Sequence, residues 1–432
     1  MFIKRMFFIL AAVIAAAPMF AVVPIVNANA RDKIEGQYIV VIKDGRSPKN
    51  LRDQIVSVKL PPQDRATILF DYGKALVGFA AILPDRALKI VLASDDVQSV
   101  EANIRAASAA TIQRQPPPLT PSVPRGLDRT DHRLLPLKGR SQFIETGKDV
   151  HVYVIDTGIR STHEEFSGRV STGNNNGYSV IDDTFGTEDC NGHGTHVAGT
   201  IGGNNYGVAK KVTLHPVRVL DCNGFGDLAG ILAGVNWVIE HKKSPAVANM
   251  SLRLTRQSPV LKSAIQTSID ANITYVVAAG NLLGRNACSY SPADVTDAIT
   301  VGSVNPENDR RSVLSAIGPC IDLFAPGVRI LSATVSGSSN SASEELSGTS
   351  MAAAHVSGVA ALVLQGHPTF TPSKVWAAIH HSDDVAATPG WHGIDNRYPC
   401  SPNEMLHWGP RDDGFNDGDS SPVREKTNAP NP

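Results

Sequence analysis

Three short segments of this 432-residue chain carry the residue types of a serine nucleophile and its two helpers. Ser350 lies in the run Ser-Gly-Thr-Ser-Met-Ala, His193 lies between two glycines, and Asp156 ends an apolar run. A serine hydroxyl is a weak nucleophile until an imidazole takes its proton and a carboxylate orients that imidazole. Because Asp, His and Ser follow one another in one of the orders known for this triad, the pattern predicts acyl-transfer chemistry. Ser350 would be the nucleophile, His193 the general base and Asp156 the orienting carboxylate.

Two further groups are predicted to stabilise the oxyanion of the tetrahedral intermediate, which needs donors that are fixed in advance. Asn281 follows the apolar run Val-Ala-Ala-Gly and can donate from its side-chain amide. The backbone N–H of Ser350 is a second donor, because the pattern after it predicts a helix, and a helix N-terminus favours an anion. We expect these two donors to hold the oxyanion.

Each segment alone has a simpler interpretation, since Gly-Thr-Ser is usually a loop and an aspartate that ends a strand is often a turn former. Two other function classes are compatible with the chain. One is a pseudoprotease that binds peptides without cutting them, which labelling of Ser350 by a fluorophosphonate would exclude. The other is a serine esterase of another fold, but the Gly-x-Ser-x-Gly pattern of those enzymes is incomplete here, because Ala352 replaces the second glycine.

Alternating strand-like and helix-like segments surround these residues from about Gly126 to Asp384. Strands are predicted at 150–155, 217–220, 246–250, 274–279 and 298–301, and helices at 228–240, at 260–270 and from 350 onward. This alternation is typical of an α/β fold with a central parallel sheet between layers of helices. Asp156 and Asn281 should then lie at the carboxyl edge of the sheet, where such folds place their sites.

Composition divides the chain into five predicted regions. They are a signal peptide (1–30), a small α+β unit (31–104), a linker and processing region (105–125), the catalytic domain (126–387) and a disordered tail (388–432). The first region has Lys4 and Arg5, an apolar stretch and an Ala-Asn-Ala ending, which favours a cleaved signal over a membrane anchor. The extended Pro-rich run at 113–118 is expected to be easily cleaved, and the tail is rich in Pro, Gly, Asp and Asn.

The net charge bounds the partners of the protein. A formal net charge of −1 argues against nucleic acid and against anionic membranes. After the N-terminal stretch no segment is apolar enough to span a bilayer, so we expect no stable membrane association once the signal is removed. We expect the mature protein to be a secreted, extracellular, monomeric enzyme that acts on polypeptides.

At these motifs the chain resembles the subtilase superfamily, and within it the proteinase K-like peptidases of the aqualysin type. The segments that carry the resemblance are Tyr153–Ile159, Asp189–Thr200, Gly207–Lys211, Ala279–Asn281 and Ser347–Ala352. The resemblance implies a subtilisin-like three-layer fold and a secreted serine endopeptidase. It also implies that residues 31–104 form an inhibitor-type propeptide, which aids folding, blocks the enzyme and is removed by self-cleavage.

The same resemblance implies where substrate binds. An extended peptide would add as a strand to two exposed edges of the enzyme. The residues implied in substrate binding are Gly224, Phe225, Gly226, Ser251, Leu252, Arg253, Ala279 and Gly280.

Disulfides, a metal site and a cis proline are also implied by the resemblance. The secreted context favours disulfides but leaves their connectivity open, and the family pattern implies Cys190–Cys222 and Cys288–Cys320, with Cys400 unassigned. A structural calcium is implied on the Asp322 carboxylate and the carbonyls of Thr296 and Ala298, because calcium prefers oxygen ligands; a turn-forming role for Asp322 is the alternative. The Ser291–Pro292 peptide bond is expected to be cis.

The chain departs from the family pattern beside the cleft. The family has Gly-Gly after Ser-Leu, and this chain has Arg253 and Leu254. Two bulky side chains there are expected to narrow specificity, and the permanent cation of Arg253 is expected to favour acidic residues near the cleavage point. Neutral drift is the alternative. The change of Thr-Pro to Ala353-Ala354 in the helix after Ser350 should cost little, since alanine is a good helix former.

Overall fold

The computed structural model describes residues 23–115, 123–132, 134–173, 176–335, 339–380 and 405–408. The predicted signal peptide lies outside the described residues as far as residue 22. Two units account for this part of the chain: a small α+β domain and a larger α/β domain that contains the catalytic motifs.

The small domain has one sheet covered on one face by two helices. Its elements are β1 (Ile25–Val26), β2 (Lys33–Ile42), α1 (Pro48–Ile55), β3 (Thr67–Tyr72), β4 (Gly78–Ile82), α2 (Asp85–Leu92) and β5 (Val97–Ser108). The strands lie in the order β1-β5-β2-β4-β3, and all neighbours except β1 and β5 are antiparallel. The predicted small α+β unit is therefore present as a folded domain.

Alternation along β2 explains how this domain uses both faces of its sheet. Val40 and Ile42 pack with α1 and α2, whereas Ile39, which points the other way, packs with the core of the larger domain. Because successive strand residues face opposite sides, one strand can serve both cores. The small domain is thus docked on the larger one through apolar side chains.

The first described residues of this domain fall within the predicted signal peptide, and they pack on the rest of the domain. Ala30 is only 4% exposed, and the Asn27 side chain donates to Glu101 over 2.9 Å. β1 extends the sheet beside β5. A signal-peptide cleavage after residue 30 would remove these contacts.

The larger domain is built on seven parallel strands. Its first elements are α3 (Arg125–Asp131), β7 (His151–Asp156), β8 (Tyr178–Ser179), α4 (His193–Gly202), β9 (Thr213–Arg218), β10 (Phe225–Asp227), α5 (Leu228–His241) and β11 (Ala246–Met250), and β6 (Ala110–Gln115) precedes them. The later elements are β12 (Leu252–Leu254), α6 (Pro259–Asp270), β13 (Thr274–Ala278), β14 (Ile299–Val304), β15 (Leu323–Pro326), β16 (Ile330–Ala333), β17 (Ser343–Gly348), α7 (Thr349–Gly366) and α8 (Pro372–His380).

The central sheet has the order β15-β14-β13-β11-β7-β9-β8 and lies between two helical layers. Along β7, Val152 and Val154 pack toward α4 and α7, while Tyr153 and Ile155 pack toward α5 and α6. A strand buried on both faces needs apolar residues at every position, which is the pattern that predicted it. The predicted α/β architecture is confirmed. Among the described residues, none of the helices has both the length and the apolar character needed to cross a bilayer.

Side-chain caps begin the two helices on which the small domain docks. Asp227 accepts a hydrogen bond from Gly230 N at the start of α5, over 2.9 Å. Ser258 does the same for Leu261 N at the start of α6, over 3.1 Å. Each cap satisfies one backbone N–H of the first helical turn, so the remaining N–H groups of that turn are left for other acceptors.

The segment Met405–Trp408 corrects the prediction that residues 388–432 form a disordered tail. Leu406 N donates to Phe324 O over 2.7 Å, so this segment pairs with β15 at the edge of the sheet. Leu406 is 1% exposed. The prediction was wrong here because two apolar residues in a polar tail are a weak strand signal, and their burial depends on a partner 82 residues away.

Candidate active site

Asp156 and His193 are brought together at the carboxyl end of β7. Asp156 ends that strand, and its Oδ1 lies 2.7 Å from His193 Nδ1 at the start of α4. Both side chains are buried. Gly194 permits this approach, because a Cβ at that position would lie 2.1 Å from Gly158 O. The pair has the geometry of an imidazole oriented by a carboxylate.

The electrostatics of His193 suit a general base. Burial disfavours the imidazolium, but the charge and hydrogen bond of Asp156 outweigh burial and raise the pKa of His193 above its ordinary value of 6.5. Within the described part of the chain, Nε2 of His193 has no hydrogen-bond partner. With Nδ1 held by Asp156, Nε2 is the nitrogen left to move a proton.

Asp189 positions this histidine and was not among the predicted site residues. Its buried carboxylate accepts hydrogen bonds from Gly192 N (3.0 Å), from Thr157 Oγ1 (2.9 Å) and from both the N–H and the hydroxyl of Thr195. Burial raises the pKa of Asp189, although these donors favour its charged form. The available signal was its place in the Asp-Cys-Asn-Gly-His motif, four residues before His193.

Ser350 lies in the first turn of α7, directly after β17. It is fully buried, and its Oγ donates to Ser251 O over 3.2 Å. The hydroxyl is not bonded to His193 Nε2, which has no hydrogen-bond partner among the described residues. Catalytic hydrogen bonds are often unformed until substrate binds, so this geometry does not exclude Ser350 as the nucleophile.

Asn281 is fixed by Thr349, the residue that precedes Ser350. Its Oδ1 accepts from Thr349 N (3.0 Å) and Thr349 Oγ1 (3.2 Å), and Gly280 N donates to the same hydroxyl oxygen over 3.0 Å. Its Nδ2 is a buried donor that is paired with none of the described residues. An amide anchored by its oxygen, with its N–H groups unsatisfied, is what an oxyanion would need.

The cleft beside Ser350 is occupied by the end of β5. Ala106 and Ala107 pair with β10 on one side and with β12 on the other, both antiparallel. Ser108 N donates to Gly224 O and Ala109 N to Ser251 O, each over 3.0 Å. The segment after residue 104, predicted as a linker, is therefore strand as far as Ser108, and β6 continues along β17. This is peptide recognition by strand addition.

The structure places the implied substrate-binding residues around this strand. Gly224, Phe225 and Gly226 form one edge, and Ser251, Leu252 and Arg253 form the other. Phe225 is 57% exposed, whereas the Leu252 side chain is buried in the core and only its backbone faces the cleft. Ala279 and Gly280 lead into Asn281, with Ala279 N bonded to Val301 O.

Leu254 corrects one expectation about specificity. It is buried in the same apolar cluster as Leu252, because alternate residues of β12 face the core. It therefore cannot narrow the cleft with its side chain. Arg253, between them, is partly exposed and is the residue of the pair that remains at the cleft.

The residues implied in calcium binding lie at the amino ends of β14 and β15. Asp322 Oδ2 accepts a hydrogen bond from Thr300 N over 2.8 Å. Thr300 lies two residues after Ala298 and four residues after Thr296. A carboxylate and backbone carbonyls are oxygen donors, the ligand type that calcium prefers, so the chemistry of these residues fits calcium.

Both implied disulfides are present. Cys190 and Cys222 are bonded, as are Cys288 and Cys320. The first bridge joins the loop before His193 to the loop before β10, so it links His193 to one of the two edges that pair with β5. The Ser291–Pro292 peptide bond is cis.

Comparisons with known proteins identify the family. The model of the Subtilase family matches residues 147–399. The extracellular serine proteinase of Thermus sp. (strain Rt41A) is 43% identical over 402 residues, which cover 89% of this chain and 92% of that protein. The chain therefore belongs to the subtilase family, and it is a subtilisin-like serine endopeptidase. The family resemblance inferred from the motifs is confirmed.

Other proteins that are similar to this chain are also serine proteases or subtilisin-related enzymes. The alkaline serine exoprotease A of Vibrio alginolyticus is 41% identical over 352 residues, covering 80% of this chain and 64% of that protein. A cold-adapted subtilisin-like serine proteinase of known structure is 43% identical, with a TM-score of 0.59, and covers 66% of this chain and 98% of its own. Fervidolysin from Fervidobacterium pennivorans, at 21% identity and a TM-score of 0.68, shares the fold over 90% of this chain and 62% of its own.

Proposed function

We propose that the protein is a secreted endopeptidase that acts through Asp156, His193 and Ser350 and is made as a self-processing zymogen. One observation carries the proposal: a strand of the chain's own small domain lies across the cleft beside Ser350, paired on both sides. Secretion is supported by the N-terminal sequence and by the Thermus relative, which is named extracellular.

The residues perform peptide hydrolysis in two stages. His193 Nε2 takes the proton of Ser350 as Oγ attacks the scissile carbonyl, and Asp156 stabilises the imidazolium that forms. Asn281 Nδ2 and the Ser350 N–H stabilise the oxyanion. His193 then protonates the leaving amine, and a water molecule releases the acyl group by the same steps in reverse.

The small domain would inhibit the enzyme as well as supply its first substrate. Its β5 presents Asn103 and Glu101 to the first turns of α5 and α6, where Asn103 Oδ1 accepts from Ala229 N (3.0 Å) and Glu101 Oε2 from Val260 N (3.3 Å). Acceptors at helix N-termini satisfy N–H groups that have no partner within the helix. Asn236 of α5 reciprocates, because its Oδ1 accepts from three consecutive backbone N–H groups, at residues 73–75.

The proposal is tested with the purified full-length chain. Three results would support the proposal. The chain should convert to a smaller form, fluorophosphonate should label Ser350, and the matured protein should digest a peptide library. A chain that binds peptides but neither labels nor cuts would instead be the pseudoprotease considered above.

Replacement of Asn281 by alanine should reduce kcat by about 10²–10³ and leave KM nearly unchanged. The reason is that the Nδ2 donor serves the oxyanion, which exists only along the reaction. Steady-state kinetics on a peptide ester check this, with Asn308→Ala, at an exposed loop, as the matched control that keeps wild-type kcat. A KM effect without a kcat effect would assign Asn281 to substrate binding.

We propose a structural calcium at Asp322, held with the carbonyls of Thr296 and Ala298. Chelation should lower the melting temperature of the precursor by about 5–10 °C, the shift expected when a ligand present at ~100 times its Kd is removed. Asp322→Asn should lose this dependence, and magnesium, which prefers a tight octahedral site, should not replace calcium. The measurement uses the Ser350→Ala background to prevent self-digestion. Equal melting with and without calcium would contradict the site.

A further inference from the structure

The chain passes Ser350 between two strands, β5 and β6, which are joined by a bend at Ala109. Ser108 is the last residue of β5 and pairs with Leu252. Ala110, two residues later, begins β6 and pairs with Gly348 of β17, two residues before the nucleophile. The chain therefore leaves one set of edges and enters another at Ala109, where it passes Ser350.

A shared acceptor locates the nucleophile on this path. Ser251 O accepts both the Ala109 N–H (3.0 Å) and the Ser350 hydroxyl (3.2 Å). Two donors on one carbonyl oxygen must lie close together, so Ala109 is the residue presented to Oγ.

From this geometry we infer that the enzyme cuts itself between Ala109 and Ala110, and that Arg253 restricts the residue before a cleaved bond to a small side chain. The inference rests on the proposed self-processing function and adds to it the bond that is cut and the side chain that selects it.

Water is the only reactant that this cleavage needs besides the chain itself. Ser350 Oγ bonds to the carbonyl carbon of Ala109, and the bond from that carbon to the nitrogen of Ala110 breaks. His193 carries the hydroxyl proton to that nitrogen, which becomes the new amino terminus. Water then hydrolyses the ester, so that Ala109 ends in a carboxylate and Ser350 regains its proton.

Strand register places Arg253 on the side of the substrate that carries the Ala109 side chain. Arg253 lies directly opposite Ala107 in the antiparallel pair of β12 and β5. Directly opposed residues project from the same face, and residues two apart on a strand share a face. The Ala109 N–H continues this pairing on Ser251 O before the chain bends at Ala109, so Arg253 and the Ala109 methyl lie on one side.

Contacts of the Arg253 side chain fix where it runs. Its Cδ lies 3.4 Å from the position that a Cβ on Gly280 would take, next to the oxyanion donor Asn281. Its guanidinium lies 5.9 Å from the ring centre of Tyr290, at a distance typical of a cation–π contact. The arginine thus fills the space between β12 and the turn at Gly280.

The Ala109 methyl is almost completely covered by other described residues. Alanine at this position is already 1% exposed. A phenylalanine would have to displace the Arg253 side chain and break its contact with Tyr290. Overfilling a packed site of this kind costs enough to reduce turnover tenfold or more.

Mass spectrometry of the matured wild-type enzyme tests the bond, and we expect an amino terminus at Ala110. In the precursor, Ala109→Phe should slow processing at least tenfold, and adding Arg253→Gly should restore it. Arg105→Phe, which adds the same ring at an exposed position of β5, is the matched control and should process normally.

A comparison of two peptides tests the inference even if a precursor variant fails to fold. Mature wild-type enzyme should cut the peptide of residues 105–115 at least tenfold faster in kcat/KM than the same peptide with phenylalanine at position 109. The Arg253→Gly enzyme should cut both at similar rates. A different amino terminus, or equal rates with wild-type enzyme, would overturn the inference. A chain that cuts nothing and does not label with fluorophosphonate would overturn the proposed function instead.

Discussion

The Ser350→Ala chain should remain a full-length precursor after purification and should lose peptide hydrolysis by about 10⁶-fold in kcat. Removing Oγ removes the atom that forms the acyl bond. The remaining oxyanion donors can only assist attack by water. Because the strand that would be cut lies in the same cleft, processing and hydrolysis should be lost together. Gel mobility and intact mass measure processing, and cleavage of a fluorogenic peptide measures hydrolysis.

Two comparisons make this result specific. Ser339→Ala, at an exposed position, should mature and cut like the wild type. The Ser350→Ala precursor should melt at a temperature no lower than that of the wild-type precursor, since a buried hydroxyl is removed and the docked small domain is retained. Maturation of purified Ser350→Ala protein without added protease would contradict the assignment of the nucleophile.

The sheet of the catalytic domain is predictable because each of its central strands is buried on two faces. Such strands are mostly apolar, and β11 (Ala246–Met250), in which Asn249 is the one polar residue, has the bounds that the pattern predicted. The helices α5 and α6 are likewise found within a residue of their predicted ends. A local sequence pattern is enough to predict an element when its own apolar residues show which of its faces are buried.

The motifs predict the members of the site but not all of their geometry. The Asp156–His193 contact follows from two strongly patterned segments at one sheet edge. Asp189 was missed because its role depends on donors gathered from Thr157 and the turn before α4, which no periodicity shows. Local motifs name the reacting groups, and the tertiary fold decides what holds them.

Pairing between distant segments explains the remaining differences. The segment 105–115 has only one large apolar residue, Ile112, and resembles a linker in sequence. It nevertheless forms strand on both sides of Ala109, because exposed edges at 225–227, 252–254 and 343–348 supply its hydrogen bonds. Leu254 was expected at the cleft but is buried, since β12 alternates and its neighbour Arg253 faces out. Neither outcome is visible within a local window of sequence.

Asp156→Asn should reduce kcat by about 10⁴ while leaving the fold intact. Asp156 Oδ1 accepts from Thr157 N (2.7 Å) as well as from His193 Nδ1. Both hydrogen bonds use the same oxygen, so an asparagine with its N–H₂ at that position presents a donor to His193 Nδ1 and gives up the bond from Thr157 N. Nδ1 must then act as an acceptor, which puts the ring proton on Nε2, the nitrogen that should take the proton of Ser350.

The same substitution should move the acid limb of the pH–rate profile to lower pH. Activity needs neutral His193, and Asp156 raises the pKa of His193 above 6.5, so wild-type kcat/KM should rise through a midpoint above that value. Without the carboxylate, burial is opposed only by the smaller effect of the Asp189 charge, so the pKa of His193 falls and the midpoint falls with it. The measurement uses enzyme matured in trans by a trace of active protein, with Asp182→Asn as an exposed control. An unmoved acid limb, or a loss below tenfold, would show that Asp156 does not govern the protonation of His193.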